Sequence, residues 1–191
     1  MAGGGPARQV LSVPFPDWDS RWSPDGRWLA YGSDESGSPE IYVTAFPGGG
    51  SKWQVSIREG DRPRWSPDGR WLAFSQRQIP GFYADRARMV LHNRKDDSQR
   101  VVTEDFDRTI SGVTWAPDSR KVYTAIDDAA HNRIYVIDIR SGKPTALTRE
   151  HSFGGLELCP RHRPHRTVQD VRCKGAEDDR EGENGKTEAV N

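Results

Sequence analysis

The second strand of each unit shows the pattern most plainly. In Trp28-Leu29-Ala30-Tyr31 and again in Trp71-Leu72-Ala73-Phe74, both alternating faces are apolar or small. A strand buried on both faces belongs between two layers of structure. Around each run the chain predicts more short strands: an inner strand ending at Trp-Ser, a Pro-Asp-Gly turn, the apolar strand, a loop, and two further strands joined by a Gly-rich or Asp-rich turn. Proline presets φ for the first corner of such a turn, aspartate caps its own backbone, and glycine takes the positive φ that closes the hairpin.

This plan is a repeat. Arg21-Trp22-Ser23-Pro24-Asp25-Gly26-Arg27-Trp28-Leu29-Ala30-Tyr31 returns as Arg64-Trp65-Ser66-Pro67-Asp68-Gly69-Arg70-Trp71-Leu72-Ala73-Phe74, 43 residues later. A looser copy, Val113-Thr114-Trp115-Ala116-Pro117-Asp118-Ser119-Arg120-Lys121-Val122-Tyr123, keeps the tryptophan, the Pro-Asp turn and the apolar run, with Ser119 in place of glycine. A fourth starts at Leu156-Glu157-Leu158-Cys159-Pro160. The predicted third strands are Ile41 to Phe46, Met89 to Asn93 and Ile134 to Ile139. The predicted fourth strands are Trp53 to Ser56, Arg100 to Thr103 and Thr145 to Thr148. The second repeat is longer by seven residues. Four fall between its second and third strands and three in its exit connection, so loops absorb the insertions and strand spacing is kept.

Four-stranded sheets stacked face to face at a period near 40–45 residues are the β-propeller arrangement. The expected fold is all-β: a partial β-propeller of about three four-stranded antiparallel blades (repeats about 20–56, 63–103 and 113–148) plus incomplete flanking blades, over residues 1–160. On this reading the tryptophans are blade-to-blade packing. Arg8-Gln9-Val10-Leu11 is expected to be the outer strand of an incomplete blade. From Cys159 the chain turns arginine-rich, then acidic, with almost no apolar residues. Residues 161–191 are therefore expected to be a disordered, out-of-frame or read-through tail.

Composition narrows the function. The 191 residues carry 28 basic and 28 acidic side chains, and no basic block rises within the first 158, so no nucleic-acid partner is expected. No apolar run approaches the roughly 20 residues of a membrane span, and the chain reads as soluble, in cytoplasm or periplasm. Both cysteines, Cys159 and Cys173, fall in the last stretch of the chain, so the aromatic-rich part is cysteine-free and its stability does not come from disulfides.

The Trp-Ser-Pro-Asp-Gly-Arg-Trp-Leu-Ala signature followed by Glu40-Ile41-Tyr42-Val43 resembles the WD40-like blades of TolB-type propellers, across about residues 7–160. Thr103-Glu104-Asp105-Phe106-Asp107-Arg108, Trp115-Ala116-Pro117-Asp118, Ile134-Tyr135-Val136-Ile137-Asp138, Gly142-Lys143-Pro144 and Leu147-Thr148 resemble, in that order, the propeller of bacterial dipeptidyl aminopeptidases and acylaminoacyl peptidases of the prolyl oligopeptidase family. The resemblance implies a propeller that filters short peptides for a separate α/β-hydrolase domain carrying a Ser-Asp-His triad. A different class, a TolB-like propeller binding protein partners at the cell envelope or a sensor propeller attached to a kinase, fits the same blades. The Gly-x-Ser-x-Gly elbow that lifts a hydrolase serine toward its histidine occurs nowhere in the chain. No catalytic residue and no cofactor is therefore assigned, and an enzymatic role stays open for the parent protein alone.

Candidate contacts with a partner or substrate are Phe82, Tyr83, Asp85 and Arg86 in the enlarged loop Gln78–Arg86, and Arg108 after the Asp105-Phe106-Asp107 connection. Inserted loops on a rigid scaffold are where binding specificity resides. The competing structural readings are blade-edge packing for Phe82 and Tyr83, a plug between blades for Phe106, an Asp85–Arg86 ion pair, and local pairing of Arg108 with Asp107. Cys159, His162, His165 and Cys173 lack the paired spacing of a zinc site. The carboxylates of Ser33–Glu40 lack calcium-loop spacing and read as a solvated loop.

Overall fold

The computed structural model describes residues 16–47, 51–148, 153–159 and 170–175. Within them the chain folds into three four-stranded antiparallel meanders. The first comprises β1 (Asp17–Trp22), β2 (Trp28–Ser33), β3 (Glu40–Ala45) and β4 (Lys52–Gln54). The second comprises β5 (Gly60–Trp65), β6 (Trp71–Gln76), β7 (Arg88–Asn93) and β8 (Gln99–Val101). The third comprises β9 (Thr114–Trp115), β10 (Lys121–Asp128), β11 (His131–Asp138) and β12 (Pro144–Ala146). Each meander is one blade of the expected propeller, and predicted and observed strands differ by a few residues at their ends. A two-stranded sheet follows, β13 (Phe153–Cys159) with β14 (Asp170–Gly175), and β13 lies against β10 and β11. Residues 170–175 of the expected disordered tail are thus strand. The rest of that tail, and Arg8-Gln9-Val10-Leu11, lie outside the described residues.

Strand alternation shows why the blades stack. In β6 and β7, Leu72, Phe74 and Val90 pack with Ala30, Ile41, Val43 and Val55 of the first blade. Their alternating neighbours Trp71, Ala73, Met89 and Leu91 pack with Val122, Ile126, Tyr135 and Ile137 of the third. The central blade is apolar on both faces because it has a neighbour on both. Burying such side chains stabilises each junction by about 1.5–3 kcal/mol per residue.

Three recurrent polar devices fix the blade interiors. At the turn, the Ser23 hydroxyl donates to Asp25 at 2.5 Å and accepts the Trp28 amide at 3.0 Å; Ser66 does the same with Asp68 at 2.5 Å and Trp71 at 2.9 Å. At each blade exit, Ser56, Thr103 and Thr148 accept the amide of the first third-strand apolar residue, Ile41, Met89 and Ile134, at 2.8–2.9 Å. Between blades, the indoles of Trp65 and Trp115 donate to the carbonyls of Arg21 and Arg64. Ser119, standing where Gly26 and Gly69 stand, keeps the left-handed φ of 57°. Its hydroxyl accepts the Asp68 amide of the neighbouring turn at 3.1 Å, which offsets the strain of a side chain there.

Candidate functional site

In an up-down meander, the loops between second and third strands and the connections between blades share one end, opposite the Pro-Asp-Gly turns. Both insertions of the second repeat therefore meet. The Arg86 guanidinium, from the β6–β7 loop, donates to the carbonyls of Glu104 and Phe106 in the β8–β9 connection. Arg88, at the start of β7, bonds Gln78 at 3.0 Å and Asp85 at 3.2 Å and lies 3.4 Å from Glu104.

The loop is built around Asp85. Its carboxylate accepts the amides of Gln78 at 2.6 Å and Ile79 at 3.0 Å, and these bonds together with Arg88 hold it below the usual carboxylate range. Gly81, at φ 75°, donates its amide to Glu59 at 2.5 Å, tying the tip to the first blade's exit. Arg77 pairs with Glu59 at 3.4 Å and lies over the Tyr83 ring at 5.5 Å. The result is a rigid knuckle whose tip presents Ile79, Phe82 and Tyr83, the last 87% exposed.

The five residues singled out from sequence separate into two kinds. Phe82 and Tyr83 do not pack at a blade edge: both are solvent-facing, because the loop spends its polar groups holding its own base. Asp85 and Arg86 do not pair with each other. Asp85 takes Arg88 and two amides, and Arg86 takes the neighbouring connection. Arg108 bonds Asp128 at 2.9 and 3.1 Å, with Asp107 farther away at 3.7 Å. Asp128 also accepts from Tyr135 at 2.7 Å and Arg133 at 2.8 Å, so Arg108 is the exposed member of a network centred on the buried Asp128, and its Nη1 also donates to the Asp107 carbonyl at 2.5 Å. Phe106 does plug the junction, its ring 5.4 Å from that of Tyr135.

Toward the first strands, the same end opens onto a polar concavity lined from three blades by Trp18, Asp19, Asp61, Arg62, Arg64 and Thr114. Register breaks in β1 and β5 place Asp19 and Arg62 at corresponding bulges, with φ of 47° and 55°. Asp19 bridges blades by pairing with Arg21 at 2.6 Å and Arg64 at 2.8 Å, and Trp18 donates to Asp61 at 3.3 Å. Two carboxylates and two guanidiniums answer one another, so this wall holds no net charge for a metal or phosphate.

Sequence reasoning missed Glu40. It is 2% exposed, not part of a solvated loop, and accepts the Ser56 hydroxyl together with the amides of Glu59 at 3.2 Å and Gly60 at 3.5 Å. A Cβ on Gly60 would collide with Ser56 and Ile41, so glycine is required there. The recurring Ser/Thr at blade exits was the available signal. Among the described residues no cluster of three or more His, Cys, Asp or Glu could hold a metal, and no helix is long and apolar enough to cross a membrane. Cys159 pairs in register with Asp170 and Cys173 with Leu156, so the cysteines are not opposite each other; His162 and His165 lie outside the described residues.

No family model matches the chain. It is similar to dipeptidyl-peptidase 5 of Porphyromonas gingivalis, at 27% identity over 168 residues, covering 78% of this chain and 24% of that protein. It is similar to the Tol-Pal system protein TolB of Bordetella pertussis, at 40% identity over 47 residues, covering 25% of this chain and 11% of that one. Among solved structures, a putative TolB from Agrobacterium tumefaciens superposes with a TM-score of 0.63 at 22% identity, over 87% of this chain and 60% of that one. The chain spans about a quarter of the length of the dipeptidyl-peptidase relative. Its blades are TolB-like β-propeller repeats, of the kind carried by propellers of prolyl oligopeptidase-family peptidases.

Proposed function

We propose that the chain is the non-catalytic propeller portion of a serine peptidase of the prolyl oligopeptidase family, gating and positioning peptide substrates for an α/β-hydrolase domain that carries the triad. The observation that carries this reading is the similarity to dipeptidyl-peptidase 5 along 78% of the chain. The geometry is compatible: a rigid apolar knuckle and a charge-balanced concavity share one end of the sheets, a surface suited to sorting uncharged peptide backbone. The Phe82–Tyr83 tip would touch the substrate or the hydrolase domain, while Asp85, Arg86 and Arg108 hold the surface in shape.

The test uses the product of the full reading frame that contains this chain. Replacing Phe82 and Tyr83 with alanine should change kcat/KM for longer peptides relative to a dipeptidyl chromogenic substrate. An unchanged ratio, or a reading frame without a Gly-x-Ser-x-Gly motif, overturns the proposal. The second reading, a TolB-like propeller binding protein partners, is favoured by the 40% identity over 47 residues, about the length of one repeat. It predicts a full-length product that binds protein at the knuckle and hydrolyses no peptide.

A further inference from the structure

A groove on the flank of the second blade brings cationic and exposed apolar side chains together. It is lined by Ile57 and Arg58 from the exit of the first blade, by Arg88, Val90 and Val101 of the second, and by Glu104. Its volume is about 240 Å³, room for a short acid or one residue of a peptide and not for a folded domain.

Three features converge. Arg88 is only 9% exposed, yet its Nε makes no hydrogen bond, and the buried Nε of Arg77 on the same wall is equally unsatisfied. Buried guanidinium donors left unpaired are costly, and native structures rarely keep them without a partner in use. Arg58 is exposed and its guanidinium has no hydrogen-bond or ion-pair partner among the described residues. Glu104, 54% exposed, holds its carboxylate 3.4 Å from Arg88 Nε and 3.9 Å from Arg86, ion-pair distances without a hydrogen bond to either guanidinium. It stands loosely where a better-aligned carboxylate would make charge-assisted bonds. Beside these cations, Ile57 and Val101 are exposed apolar side chains, 73% and 44%.

We propose that this groove binds a carboxylate with an apolar neighbour, such as the C-terminal residue of a peptide, with Arg58 and Arg88 as the cationic contacts, Ile57 and Val101 against the side chain, and Glu104 as the internal competitor that the ligand displaces. The proposal does not depend on the peptidase reading. It is tested on the purified chain by following backbone amide NMR signals during titration with N-acetyl-leucine, with N-acetyl-leucine amide as the uncharged control. The acid should shift the signals of Arg58, Arg88 and Val101 saturably and the amide should not. Glu104→Gln should tighten acid binding by about threefold and Arg58→Ala should weaken it by about threefold, as expected for half-exposed ion pairs. Equal response to acid and amide, shifts centred elsewhere, or a Glu104→Gln variant that binds no tighter overturns the proposal.

Discussion

The indole Nε1 of Trp65 donates a 3.1 Å hydrogen bond to the main-chain carbonyl of Arg21, across the boundary between the first two blades. The bond recurs one repeat later, from Trp115 to Arg64 at 3.0 Å. Each tryptophan thus reaches the residue that precedes its own counterpart in the neighbouring blade. A repeated sequence becomes a repeated docking bond, and the apolar faces beside it supply the energy.

Trp65→Phe should keep most of the apolar packing while leaving the Arg21 carbonyl unpaired, costing about 1–3 kcal/mol in urea unfolding. Trp65→Ala should cost about 3–5 kcal/mol by adding a cavity. If Trp65→Phe unfolds at the same urea concentration as the parent chain, the hydrogen bond contributes nothing.

Ser119 opposes two effects of similar size. Ser119→Gly should relieve left-handed strain worth about 0.5–1 kcal/mol and lose a hydrogen bond worth about 0.5–1.5 kcal/mol, leaving net stability nearly unchanged. Ser119→Ala keeps the strain and loses the bond, so it should be destabilised by about 1 kcal/mol relative to the parent chain. Thermal unfolding of the pair reads the difference.

Glu40→Ala should destabilise by about 1.5–3 kcal/mol, because the Ser56 hydroxyl and two amides lose a buried charged acceptor. Glu40 shapes the loop that delivers Glu59 to Gly81, so trypsin cleavage at Arg77 or Arg86 should also accelerate in this variant. Unchanged proteolysis would separate the carboxylate from the knuckle.

His92 sits on β7, 6% exposed, with its Nδ1 unpaired. Burial lowers its pKa below 6.5, against the opposing pull of Asp97 and Asp96. The folded state therefore binds this proton less readily than the unfolded chain. Stability should be undiminished above about pH 6.5 and decline as pH falls below it toward the folded pKa, since protons accumulate on the unfolded chain first. His92→Gln should flatten that part of the stability profile, measured by chemical unfolding between pH 7.5 and about 5, where most carboxylates remain ionised.

Much of the fold was legible along the chain because its information is local. Leu72 and Ala73 point to opposite blades whatever the wider context, since successive strand residues alternate faces. Pro24-Asp25-Gly26 and Pro67-Asp68-Gly69 announce their turns for the same reason. The site was legible only in part. The loop Gln78–Arg86 could be marked as an insertion by counting residues, but Asp85 and Arg86 looked like partners because they are neighbours, whereas Asp85 closes its own loop onto Gln78, Ile79 and Arg88 and Arg86 reaches the β8–β9 connection.

Strand period, turn chemistry and repeat length are properties of short stretches, and the amino-acid order alone specifies four-stranded units with two apolar faces that must stack. The direction in which each charged side chain finds its partner depends on which loops the stacking brings together. Only the folded meanders could turn Arg86 toward the Glu104 and Phe106 carbonyls, bury Glu40 beside Ser56, and leave Phe82 and Tyr83 in solvent, because these contacts join separate loops and strand ends that come together only once the strands have paired.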